Sequence, residues 1–145
     1  MTPSFPGAGG GRPTPTVMLI EAEPMLRLTM TEFLHRSGCQ VVACPDAQVG
    51  AGALANGTIR PILILVGARV LDASVAESAR RLRALAGGAA VLGIADVVDG
   101  SVSEGLPDDL RFLAPPFDLP DVLRAVRSHL RQAGCAPPDS ELLEA

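Results

Sequence analysis

A chain of 145 residues, 48% apolar and with a mean hydropathy of +0.31, can build one domain around a single core and is too apolar for wholesale disorder. A formal net charge of −4, spread along the sequence, argues against nucleic acid as a partner, and the lack of Trp and Tyr removes the stacking platforms of single-strand binders. No apolar stretch is long enough to span a bilayer, and the opening MTPSFPGAGGGRPTP has no apolar core of a secretory signal, so a cytoplasmic domain away from the membrane is expected.

Residues 1–15, rich in Gly and Pro, read as a flexible tail, and residues 133–145 as another, which leaves 16–132 for the domain. Val17-Met18-Leu19-Ile20 is a short, continuous apolar run, the pattern of a central strand covered on both faces. Pro24 suits the first turn of a helix, where its missing N–H is no loss. Leu26, Met30, Phe33 and Leu34 then recur at helical spacing, and Gly38 supplies the stop. Val41 to Cys44 reads as the second strand.

Asp46 is placed to cap a weak helix over 47–55, softened by Gly50 and Gly52. Pro61 introduces a third strand, Ile62 to Val66. Ser74 with Glu77 three residues later fits the capping box of a helix whose Val75, Ala79, Leu82 and Leu85 face inward. Arg80, Arg81 and Arg83 fall mainly outside, and Gly87-Gly88 ends the helix. Ala89 to Ala95 is the fourth strand and Phe112 to Ala114 a short fifth. Between them, Gly100, Gly105 and Pro107 leave room for only a short or irregular fourth helix. Asp118 and Pro120 open a last helix with Leu119, Val122, Leu123, Val126 and Leu130 as its buried stripe.

Five strands alternating with helices give an α/β fold, a doubly wound parallel sheet with helices on both faces. In the flavodoxin-like strand order 2-1-3-4-5, ligands bind beyond the carboxyl ends of strands one and three. Those ends carry Glu21-Ala22-Glu23 and Gly67; strand four ends at Ala95-Asp96 and strand five at Ala114-Pro115.

The segments VMLIEAEPMLRLTMTEFL, RPILILVGARVLD, ESARRLRAL and FLAPPFDLPDVLRAVRSHL resemble the receiver domains of bacterial response regulators, over about residues 16–132. The resemblance implies two-component signalling, with a Mg²⁺-binding acidic pair after strand one and a phosphoacceptor aspartate after strand three. It also implies a hydroxyl residue after strand four and a lysine after strand five. Here those positions hold Glu21 and Ala22, Gly67, Ala95 (Ile94 if the register slips by one) and Pro115. Only Glu21 keeps the chemical type. Glycine offers no nucleophile, and Glu21 alone or with Glu23 is a poor remnant of a site that must give Mg²⁺ several hard oxygens. Losing the acidic cluster also removes a repulsion of roughly 1 to 4 kcal/mol between two carboxylates about 4 Å apart. The expectation is a degenerate pseudo-receiver, not an enzyme, with no cofactor.

Asp96 beside the site and Asp72 beyond strand three are the candidates for an atypical phosphoacceptor. A solvated, turn-capping aspartate and a loop aspartate are the commoner readings of those two residues. A third function would use Gly67, Ala95, Ala22 and Pro115 as the walls of a vacated small-molecule cleft. Met25 and Leu28 fall off the inward stripe of the first helix and should be partly exposed. The resemblance makes them a candidate docking surface for a histidine kinase, a phosphotransfer protein or another regulator. Arg124, Arg127 and Arg131 share an outer face of the last helix, either as a solvated face or as a partner or homodimer surface. The resemblance also implies a cis Pro115–Pro116 bond. Cys39, Cys44 and Cys135 have no CxxC spacing, and His35 and His129 fall on different helices, so reduced thiols are expected and no metal.

Overall fold

The computed structural model describes residues 14–71, 73–98, 111–113 and 119–132. The elements run β1 (Thr16–Ile20), α1 (Pro24–Arg36), β2 (Gln40–Cys44), α2 (Ala47–Ala55), β3 (Leu63–Leu71), α3 (Ala73–Leu85), β4 (Ala90–Val98), β5 (Arg111–Leu113) and α4 (Leu119–Gln132). The strands form one parallel sheet in the order β2-β1-β3-β4-β5. The short fourth helix expected before strand five falls within 99–110, outside the described residues.

The sheet is covered on both faces because its central strands are apolar on both. From β1, Val17 and Leu19 enter a cluster with Met30 and Leu34 of α1 and Val122, Val126 and Leu130 of α4. Met18 and Ile20 enter the opposite cluster with Leu54 of α2 and Leu82 of α3. Val17, Met18 and Leu19 have no exposed surface at all, as alternating residues of a strand buried on both sides must. Pro15, read above as the end of a tail, is buried, and its carbonyl accepts a hydrogen bond from the Gln40 amide at 2.8 Å.

Local signals place most helix ends. Pro24 opens α1. Gly38 (φ 93°) closes it while the Cys39 amide returns to the Leu34 carbonyl at 3.1 Å. Asp46 caps α2 through the Val49 amide at 2.8 Å. Gly88 (φ 96°) lets its amide reach the Arg83 carbonyl at 3.0 Å, which ends α3.

Four expectations need correction. Ser74 is not a cap but lies inside α3, which starts one residue earlier. The buried stripe of α3 is Ala76, Ala79 and Leu82; Leu85 is exposed, because the helix is rolled toward its small residues. Leu26 is also exposed, since only Met30 and Leu34 of α1 are fully covered by the sheet. Gly50 does not merely soften α2. A Cβ there would lie 2.7 Å from Ile20 Cδ1 and 3.3 Å from Met18 Sδ, so the glycine lets α2 approach β1 closely.

Candidate functional site

The site is built where β1 ends. Glu21 continues the strand by donating its amide to the Cys44 carbonyl at 2.9 Å, which anchors its backbone to β2. The chain then turns through Ala22 and Glu23 into α1. Glu23 caps that helix, its Oε1 accepting the Leu26 amide at 2.7 Å. The Arg27 guanidinium reaches back from the first turns of α1 and donates to the Glu21 carbonyl at 2.8 Å and the Ala22 carbonyl at 3.4 Å. Nothing in the spacing of Glu21 and Arg27 announces this clamp.

The Glu21 side chain is the buried carboxylate of the site, 9% exposed. Its Oε2 accepts the Glu23 amide at 3.0 Å. Its Oε1 lies 2.2 Å from where a Cβ at residue 67 would stand, and its Cδ 3.2 Å. The carboxylate therefore occupies the space a side chain at 67 would need. Gly67 and Glu21 fit as a pair.

Strands β3 and β4 run further than expected. Gly67 pairs with Ile94, Ala68 with Ala95, Val70 with Val97 and Leu71 with Val98. Gly67 and Ala95 thus sit within a ladder rather than at strand ends, because apolar and β-branched residues continue past them where turn-forming residues would break pairing. Ala95 is 2% exposed and Ala22 is open to solvent. Glu21 fills the space beside Gly67 that the expected cleft of Gly67, Ala95 and Ala22 would use. Pro115, the Pro115–Pro116 bond and Asp72 lie outside the described residues; Asp96 is described only as backbone of β4.

The metal implied by receiver domains does not fit the described residues. Gly67 and Ala22 offer no ligand, both glutamates accept backbone amides of their own turn, and a guanidinium holds the carbonyls at the mouth. Among the described residues no three His, Cys, Asp or Glu side chains gather as they would around a metal ion. Cys44, at the end of β2, has its thiol pushed up by burial and by nearby Asp46, against a lowering by Arg27. Cys39, on the other face of the sheet, is pushed up to about 11 by burial.

Away from the carboxylate, α1 exposes Met25 (67%) and Leu28 (54%), with Leu26 between them. On α4, Arg124 and Arg131 are exposed while Arg127 is half-buried, and Arg124 pairs with Asp121 one turn back. The three arginines therefore do not stand equally in solvent.

No protein-family model and no curated protein matches this chain. Solved structures do. A response regulator receiver protein from Sinorhizobium medicae is 18% identical, over 81% of this chain and 95% of that chain, with a TM-score of 0.67. A response regulator from Thermotoga maritima is 19% identical, over 82% and 99%, with a TM-score of 0.66. A receiver protein from Burkholderia phymatum is 22% identical, over 86% and 99%, with a TM-score of 0.63. At these identities the likeness is one of fold: the chain has the α/β fold of response-regulator receiver domains.

Proposed function

We propose that this chain is a pseudo-receiver of two-component signalling that works in the cytoplasm without accepting a phosphoryl group, as a decoy, scaffold or adaptor. The observation that carries the reading is the Glu21 carboxylate lying over Gly67, in the space of the missing phosphoacceptor side chain. A receiver fold whose acceptor position has no nucleophile, and no room for one, is left with its surfaces. Its partner is a histidine kinase, a phosphotransfer protein or another regulator. The exposed Met25 and Leu28 of α1 are the candidate contact, with Arg124, Arg127 and Arg131 of α4 as the competing surface.

Two measurements test this. With a small phosphodonor and Mg²⁺, the intact mass stays unchanged; a gain of one phosphoryl group overturns phosphate independence and directs attention to Asp96 or Asp72. In affinity capture beside the wild type, a kinase or phosphotransfer protein is lost by the Met25→Asp, Leu28→Asp variant and kept by the Arg124→Ala, Arg127→Ala, Arg131→Ala variant. Retention of every partner by both variants removes the docking reading.

A further inference from the structure

The two edges of the sheet are not built alike. One is β5, headed by Arg111. The other is β2, the five residues QVVAC, with no charge, no proline and no bulge in its pairing with β1. Charges, prolines and bulges are the devices that keep an edge strand from pairing with another chain. The Gln40 amide donates to the Pro15 carbonyl at 2.8 Å, and the Cys44 carbonyl accepts the Glu21 amide at 2.9 Å. Both residues thus turn their backbone toward β1, and by the alternation of a strand Val41 and Ala43 turn theirs outward. Among the described residues, no backbone group pairs with the amides and carbonyls of those two residues.

These outward groups are complementary to themselves. Before Val41 the next outward position is Cys39, whose amide already goes to the Leu34 carbonyl at 3.1 Å; after Ala43 it is Pro45, which has no amide. A second β2 laid antiparallel, with a two-fold axis at Val42, sets Val41 opposite Ala43 of the other copy and the reverse. Every outward amide and carbonyl of both strands is then paired, in four hydrogen bonds. Moving the axis to Val41 or Ala43 sets an outward carbonyl against Cys39 or Pro45, neither with an amide to give. The register also brings Val42 against Val42, a β-branched cross-strand pair. Val41 and Val42, on opposite faces of the sheet, are only half-buried in the single chain and gain cover. On the Val42 face, α2 adds no ionisable residue and leaves its Val49 exposed.

We propose that two copies of this chain pair through β2, antiparallel and two-fold, so that one sheet runs through both. The contact is made by backbone groups and apolar side chains, and it stands whether or not the chain accepts a phosphoryl group. It does not use Arg124, Arg127 and Arg131 of α4, the homodimer surface that the sequence offered.

Sedimentation of the full chain over a concentration series tests this. Wild type is expected to dimerise, and Ala43→Pro to weaken the dimer at least about tenfold, because it removes one outward amide from each strand. Ala43 is exposed and its amide does not serve β1, so the monomer of this variant should keep its fold. In a Cys135→Ser background, Val42→Cys should form an interchain disulfide on oxidation and Ala43→Cys should not, since only position 42 meets itself across the axis. A wild type that stays monomeric throughout the series overturns the proposal, as does a dimer that Ala43→Pro leaves intact or equal cross-linking at 42 and 43. A monomer whose Val41 and Ala43 amides resist hydrogen exchange also overturns it, and assigns the edge to a segment of the same chain.

Discussion

The Glu21 carboxylate and the α-carbon of Gly67 share one side-chain space: Oε1 stands 2.2 Å from the position a Cβ at 67 would take. Gly67→Ala must therefore push the Glu21 carboxylate aside, at the expense of its bond to the Glu23 amide. A cost of about 1.5–3 kcal/mol is expected, the range for losing a hydrogen bond to a charged group. Chemical denaturation of Gly67→Ala, Glu21→Ala and the double variant checks it. Coupling should make the double variant more stable than the sum of the singles predicts. Simple additivity would mean that Glu21 does not lie over Gly67.

Gly67→Asp, on the same argument, does not create a phosphoacceptor by itself. The new carboxylate would have to share the space with Glu21, and Ala22 still gives no ligand. The expected outcome is a destabilised protein whose mass is unchanged by phosphodonor and Mg²⁺. A phosphorylated Gly67→Asp variant would show that the site is a single substitution from function.

Arg27 ties the start of α1 to the two carbonyls that end β1. Arg27→Ala is expected to cost about 1–3 kcal/mol, and Arg27→Lys to recover only part, since the lysine ammonium sits closer to its own backbone than the terminal guanidinium nitrogen that makes both bonds. Denaturant midpoints of the three proteins decide it. Equal stability of Arg27→Ala and wild type would remove the clamp from the argument.

The two glycines of α2 should respond in opposite directions. Gly52 has open space around its α-carbon, so Gly52→Ala is expected to stabilise by about 0.5–1 kcal/mol through helix propensity. Gly50→Ala gains the same propensity but meets Ile20 Cδ1 at 2.7 Å, and overpacking of about 1–3 kcal/mol reverses the sign. Thermal melts of both variants are sufficient. A stabilised Gly50→Ala would place α2 farther from β1.

The alkaline limb of stability should report Cys39. Its folded thiol is raised from 9.0 to about 11, so the native state holds that proton more tightly than the unfolded chain. The resulting stability is fully present below pH 9 and is lost as pH rises through about 11. Without Lys or Tyr, the cysteines are the side chains that titrate in this window, which makes it unusually clean. Denaturant midpoints from pH 7 to pH 11 should bend downward above pH 9 for wild type and less so for Cys39→Ala. Parallel curves would assign the bend elsewhere.

Much of this frame was legible in local signals. Pro24, Gly38, Asp46 and Gly87-Gly88 mark helix ends through backbone chemistry that acts within a few residues. The apolar run of β1 announced burial on both faces for the same reason. The loss of acceptor chemistry at Gly67 was also visible, since it depends on residue identity alone. What was not visible is everything set by distance across the fold. Whether the Glu21 side chain turns to solvent or over Gly67 depends on the space that β3 leaves beside the end of β1, which the residues around Glu21 in sequence do not reveal. Leu85 and Leu26 carry the apolar character of a buried stripe, yet the roll of each helix on the sheet exposes them. The continuation of β3 and β4 depends on each strand having the other beside it.

That continuation affects how freely the region can move. A hinge needs a segment whose dihedrals change without breaking much, and a free loop at residues 67–71 would be one. Here the ladder from Leu63 to Leu71 on β4 runs past Ile20, where the pairing of β3 with β1 stops. Swinging this arm means unzipping a row of backbone bonds, each worth about 1 kcal/mol net. Its opening is therefore cooperative and local, a small unfolding unit grafted onto a rigid centre rather than a swivel.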